Sequence, residues 1–192
     1  GFFFIRRKDY SRARECFSAY IPEADDGEKK EKAQALVKDI ETRGLDDEGF
    51  KEAVDLIRAG DDQGALDKIR DFLEKRPKVW NGWFVLGWAL RRLGRWQDGL
   101  DSFRKVVELG GTNNDTRNEM AICLMELGDL DAAREELETA LAEEPENIKI
   151  VSNLGVLALK SGDDAEAAAF FRTVLELDPE DPVAKRYFED QQ

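Results

Sequence analysis

Residues 83–103 read WFVLGWALRRLGRWQDGLDSF, and this stretch decides the fold. Its first half places Trp83, Leu86, Gly87 and Leu90 at i, i+3, i+4 and i+7, one face of an α-helix. Gly94 then supplies a residue that enters the left-handed region at little steric cost, which ends that helix. Beyond it Gly99, Phe103 and Val106 line one face of a second helix. The small Gly99 lets the two helices approach closely, and the bulky Phe103 fills the gap to whatever follows.

Reading outward from this unit, the same arrangement returns every 34 residues. Glycines stand at Gly60, Gly94, Gly128 and Gly162, and small residues at Ala65, Gly99, Ala133 and Ala167. Large apolar residues stand at Ile69, Phe103, Leu137 and Phe171, and helix terminators at Pro77, Gly111, Pro145 and Pro179. In three copies an aspartate follows the glycine (Asp61, Asp129, Asp163), placed to cap the free N–H groups of the next helix. A fixed period of this length is the signature of a solenoid, in which each helix pair buries its apolar face against its neighbours.

These residues resemble the tetratricopeptide repeat (TPR) family, whose pattern runs aromatic, Leu-Gly, aromatic, Ala, large apolar, Ala and Pro. The second copy offers Trp83, Leu86-Gly87, Leu90, Gly99, Phe103 and Val106; the fourth offers Leu154-Gly155, Ala167, Phe171, Val174 and Pro179. The resemblance covers about residues 46–181 and implies an all-α, right-handed superhelical solenoid of antiparallel helix pairs. In register, the full repeats are 46–79, 80–113, 114–147 and 148–181. The first departs from the pattern, with Glu52 and Asp55 where its first helix calls for apolar residues. Phe50, Ala53, Leu56 and Ile57 carry the packing there instead.

Upstream, Tyr10, Ala13, Phe17 and Tyr20 repeat the second-helix columns once more, so 1–21 reads as a partial repeat in a chain cut from a longer protein. Residues 22–45 read as an insertion containing a helix over about 27–43, with Ala33, Leu36, Val37 and Ile40 on one stripe. At the other end 182–192 reads as a capping helix, in which Ala184, Tyr187 and Phe188 cover the last repeat.

Composition narrows the function. A net charge of −13 argues against nucleic acid or an anionic membrane as the main partner. No apolar run approaches the roughly 20 residues of a membrane span. The two cysteines, Cys16 and Cys123, lack a CxxC spacing and read as reduced thiols of a cytoplasmic protein. The chain has no histidine, so no Ser-His-Asp or Cys-His arrangement exists, and Gly110-Gly111-Thr112 lacks the lysine of a phosphate loop. No catalytic site, metal site or cofactor is expected.

The informative residues are those that the scaffold does not require. The resemblance implies that first helices line a concave groove and second helices form the outer wall. The groove columns hold Phe50 and Val54, then Phe84, Trp88, Arg91 and Arg92, then Asn118, Ile122 and Met125, then Asn153 and Val156. Trp88 serves either as packing against a neighbouring helix or as an aromatic anchor for a bound segment. Arg91 and Arg92 either pair with nearby carboxylates or meet a carboxylate on a partner. The asparagines suit the main chain of an extended peptide. The clamp that related repeats use for acidic chaperone tails is not matched, since only Lys149 fits it.

Three functions stay open: an interaction module whose groove binds a peptide or helix, an assembly subunit, and an enzyme whose catalytic part lies elsewhere. The partner expected is a protein. Weak self-association through the apolar N-terminal edge, Phe2 to Ile5, is a further expectation.

Overall fold

The computed structural model describes residues 1–190. Gln191 and Gln192, at the end of the expected capping segment, lie outside the described residues. Twelve helices and no strands occur among the described residues. They are α1 (Phe2–Arg6), α2 (Tyr10–Glu23), α3 (Gly27–Arg43), α4 (Glu48–Ala59), α5 (Asp62–Lys75) and α6 (Trp80–Arg92). There follow α7 (Trp96–Glu108), α8 (Asn114–Leu127), α9 (Leu130–Glu143), α10 (Ile148–Ser161), α11 (Asp164–Leu177) and α12 (Pro182–Glu189). No helix among the described residues is long and apolar enough to cross a membrane.

The repeated punctuation explains the repeated helices. Gly60, Gly94, Gly128 and Gly162 all have φ between 72° and 87°. The next N–H reaches back across each helix end: Asp61 to the Leu56 carbonyl, Arg95 to Leu90, Asp129 to Leu124 and Asp163 to Ala158. A left-handed residue followed by this long backward bond satisfies carbonyls that the helix end would otherwise strand. Asp61, Asp129 and Asp163 then accept from the N–H three residues on and open the second helix. In the second repeat Arg95 takes that place and gives α7 no side-chain cap.

The hairpins α4/α5, α6/α7, α8/α9 and α10/α11 stack in chain order, each second helix against the next first helix. Apolar clusters run through the stack, one under α4 to α6, one from α7 to α10 and one under α10 to α12. Their centres are the second-helix column Ile69, Phe103, Leu137 and Phe171, all without solvent exposure. Burying side chains of this size stabilises by about 1.5–3 kcal/mol each.

The first-helix column that accompanies them is Ala53, Gly87, Ala121 and Gly155. Phenylalanine thus accompanies glycine, and the smaller Ile69 and Leu137 accompany alanine. The reason is geometric: a Cβ on Gly87 would lie 2.8 Å from Phe103 Cε1, and one on Gly155 2.8 Å from Phe171 Cε1. Bulk is traded between the two helices of a hairpin, a large ring against glycine and a smaller side chain against alanine, as close packing requires.

Helices α2 and α3 form their own small cluster around Ala13, Phe17, Ala33 and Ile40. Asp46 ties this hairpin to the repeats. Its carboxylate, almost fully buried, accepts from Arg14 Nη1 at 2.5 Å and from Arg76 Nη1 at 3.2 Å, and its carbonyl accepts from Ser11 Oγ at 2.9 Å. The inserted helix α3 also touches α6, where Asn81 Nδ2 donates to the Arg43 carbonyl at 3.1 Å. At the far end Tyr187 of α12 packs on Phe171, ring centroids 4.8 Å apart, and covers the last hairpin.

Candidate functional site: the inner face of the first helices

Successive first helices touch one another: α4 meets α6, α6 meets α8, and α8 meets α10. Successive second helices are less closely packed: α9 and α11 meet through the Arg134–Glu166 ion pair at 2.7 Å. The stack therefore curves toward α4, α6, α8 and α10, and these helices line its inner face. The sequence-expected residues all lie on these four helices, but the structure sorts them into three groups.

Phe50, Asn118 and Met125 are buried, which corrects the expectation that they line an open groove. Phe50 packs on Phe72 at 5.4 Å between ring centroids, and Met125 belongs to the cluster between α7 and α10. The physical reason is the packing around each residue: α5 of its own hairpin covers Phe50, and the next first helix covers Asn118 through Asn153.

Val54, Phe84, Trp88, Ile122 and Val156 are half-buried, each packed on the core by one edge and open on the other. Val54 and Trp88 rest on the first cluster. Phe84, Ile122 and Val156 rest on the second, with Phe84 edge-on to Phe103 at 5.6 Å. Trp88 thus takes part in packing and still presents a ring edge to the inner face. Trp83 is held differently, its Nε1 donating to the Pro77 carbonyl at 2.8 Å across the turn between α5 and α6.

The polar residues are paired with one another. Arg92 Nε meets Asp62 Oδ1 at 2.6 Å, and Lys160 Nζ meets Glu126 Oε1 at 3.1 Å. Asn153 Nδ2 donates to Asn118 Oδ1 at 2.6 Å, which joins α10 to α8. Arg91 Nε lies 2.6 Å from Glu119 Oε2, yet neither atom makes an aligned hydrogen bond. The pair is a charge contact, not a fork. Burial pushes the Glu119 carboxyl above its ordinary value, outweighing the pull of Arg91. The same burial pushes the nearby Cys123 thiol up to about 12, where it stays protonated and inert. Of the two cysteines Cys16 is exposed, and both are free.

No group of acidic or cysteine side chains among the described residues is arranged to hold a metal. The inner face is thus a strip of half-open apolar side chains between internally neutralised polar ones. Such a strip can bind a polypeptide by covering its apolar edges. The sequence did not reveal that Lys8, Tyr10 and Leu45 join the α4 end of this strip in one cleft with Phe50, Lys51 and Val54. No spacing rule connects the turn before α2 to α4.

A family model for the TPR domain of cytochrome c-type biogenesis protein H matches residues 68–184. The chain belongs to this family. The match runs from within α5 to α12, so the hairpin α2/α3 and the helix α4 lie outside it. Cytochrome c-type biogenesis protein CycH of Bradyrhizobium diazoefficiens is 31% identical over 126 residues, which are 64% of this chain and 34% of that protein. The phagocyte signaling-impaired protein of Aedes aegypti is 24% identical over 126 residues, 66% of this chain and 13% of that one. The chain therefore spans about a third or less of the length of these relatives. Among solved structures, a thermophilic TPR protein of Thermus thermophilus superposes with a TM-score of 0.66 at 19% identity. That match covers 95% of this chain and 98% of the other. MamA of Desulfovibrio magneticus superposes with a TM-score of 0.64 at 19% identity, covering 91% and 98%. At these identities the likeness establishes the fold, an all-α TPR superhelix.

Proposed function

We propose that this chain is a non-catalytic scaffold that holds a segment of a partner protein against the inner face of α4, α6, α8 and α10, in the making of c-type cytochromes. The observation that carries the reading is the strip Val54, Phe84, Trp88, Ile122 and Val156. All five keep an apolar edge open where the fold alone accepts polar side chains. A partner that covers them gains about 25 cal/mol for each Å² of apolar surface removed from water. Large aromatic residues such as Trp88 are the type that concentrates binding energy. The process is taken from the family and from the Bradyrhizobium relative, both named for cytochrome c-type biogenesis.

The partner is a polypeptide rather than a nucleic acid, in keeping with the net charge of −13. Because Arg91, Arg92 and Lys160 already have carboxylate partners, the apolar strip rather than these charges supplies the affinity. The test is a pull-down from cells producing c-type cytochromes, with Trp88→Ala and Trp83→Ala compared against the unaltered chain. Trp88→Ala should lose the captured partner while melting within a few degrees of the parent. Trp83→Ala should chiefly lower stability, because it releases the α5–α6 turn. Equal capture by Trp88→Ala and the parent refutes the reading.

A second reading, assembly through the N-terminal edge, draws on Phe2 and Phe3, which are 64% and 62% exposed. Light scattering of Phe3→Asp tests it: a dimer that this change abolishes supports the edge, and a strict monomer before and after refutes it.

A further inference from the structure

The α4 end of the inner face holds a cleft of about 360 Å³ beneath the turn between α1 and α2. Its wall is apolar, formed by Tyr10, Leu45, Phe50 and Val54. Its rim carries the cations of Lys8, Lys51 and Arg58 against one carboxylate, Asp55. Of the acidic side chains around it, Glu48 stands one turn before Lys51 without an ion pair among the described residues, and the others have cationic partners of their own. Asp55 faces Arg58 at 3.5 Å, Glu52 pairs with Lys68 at 2.9 Å, and Asp9 faces Arg12 at 3.6 Å. Asp46 is held by Arg14 and Arg76. Among the described residues Lys8 and Lys51 have no carboxylate within ion-pair distance. On a chain of net charge −13, two unneutralised ammonium groups beside an apolar hollow form a local attractor for anions.

Lys8 carries a second, independent mark. Its φ of 57° makes it the one non-glycine residue among those described with a left-handed backbone. It stands just past the end of α1, where glycine is the residue that bears this conformation at least cost. Gly44, Gly60, Gly94, Gly110, Gly128 and Gly162 take the corresponding conformation elsewhere in the chain. A lysine at such a place works against the local fold, which points to a use for its side chain.

We infer that this cleft receives an acidic segment of the polypeptide held by the inner face. One apolar side chain enters the hollow, and its flanking carboxylates meet Lys8 and Lys51. The inference rests on the scaffold reading above, because Val54 of the cleft wall also belongs to the inner-face strip. A chain laid along the strip passes over the cleft at its end. The volume admits a side chain or two rather than a folded surface, which selects an extended segment.

Fluorescence anisotropy with the chain of 192 residues tests it. The probe is a labelled, C-terminally amidated peptide carrying one leucine between glutamates. The unaltered chain should bind this probe, and Lys8→Gly should weaken binding roughly tenfold while raising the melting temperature. Higher stability with lower affinity separates a lost contact from a damaged fold. Lys51→Gln should weaken binding comparably, and Asp55→Asn, which lifts the opposing charge, should tighten it. Probes with lysine for glutamate, or with serine for leucine, should not bind. The inference is overturned if the unaltered chain ignores the probe, or if Lys8→Gly/Lys51→Gln binds it as well as the parent. It is also overturned if a peptide with a free C-terminal carboxylate and no glutamates binds better. Partner capture that depends on Trp88 but not on Lys8 or Lys51 removes the cleft alone; capture indifferent to Trp88 removes the scaffold reading.

Discussion

Replacing Gly87 by alanine probes the size matching between the two helices of a hairpin. The new methyl carbon would stand 2.8, 2.9 and 3.0 Å from Cε1, Cζ and Cδ1 of Phe103. Carbon atoms in contact prefer about 3.5–4.0 Å, so the ring must retreat by roughly 0.5–1 Å. Phe103 has no solvent-exposed side to retreat into, and Phe84 stands against it. Overpacking of this kind costs about 1–3 kcal/mol. Exchanging glycine for alanine within a helix returns about 1 kcal/mol through propensity. Three simultaneous close contacts place the steric cost near the top of its range, so the net loss should be about 1–2 kcal/mol. For a chain of this size that lowers the melting temperature by roughly 2–8 °C. The assay is a thermal and urea double-mutant cycle with Phe103→Leu, which recreates the Ala121 and Leu137 combination of the third repeat. The double variant should recover at least half of the loss caused by Gly87→Ala alone. If Gly87→Ala stabilises the chain, or if its effect is independent of residue 103, the size matching is refuted.

Three other outcomes follow from the same structure. Glu119 has a folded-state pKa raised above its ordinary 4.5, so protonation favours the folded chain; its contribution is complete below that value and is lost as pH rises through the raised one. The stability of the unaltered chain relative to Glu119→Gln should therefore increase as pH falls from 7 toward 4.5, and a pH-independent difference would contradict it. A thiol reagent should label one cysteine quickly in the folded chain, since Cys16 is exposed and Cys123 is buried with its pKa raised to about 12; Cys16→Ser should abolish that labelling. Asp46→Asn should cost about 1–3 kcal/mol in urea unfolding, because a buried carboxylate loses charged bonds to Arg14 and Arg76. It should also expose α2 and α3 to limited proteolysis, and an unchanged digestion pattern would count against Asp46 as their tether.

The helices were legible because each repeat carries its own stop and start in the sequence. Gly60 with Asp61, Gly128 with Asp129 and Gly162 with Asp163 act within a few residues of one another, and such local chemistry can be read from one repeat. The inner face was only half legible. Periodicity places Phe50 and Asn118, which are buried, in the same column as the half-open Phe84, and no local signal says which of them a neighbouring helix covers. That depends on how tightly the stack winds, a property of all the packed repeats together. The fates of Arg91 and Arg92 were open for the same reason, since Glu119 and Asp62 come from adjacent repeats. Asp46 escaped notice entirely. Ser11, Arg14 and Arg76 reach it from both ends of the insertion, and no period relates them.

That the inner face, and not the outer wall, holds another polypeptide can be tested by crosslinking. A photoreactive residue placed in living cells at Ile122 or Val156, which are half-open on α8 and α10, samples that face directly. The same residue at Val107 or Glu138, exposed on α7 and α9, samples the outer wall. Discrete adducts with one protein are expected from Ile122 and Val156, and none with that protein from Val107 or Glu138. Adducts formed from the outer positions as readily as from the inner ones would contradict the scaffold reading.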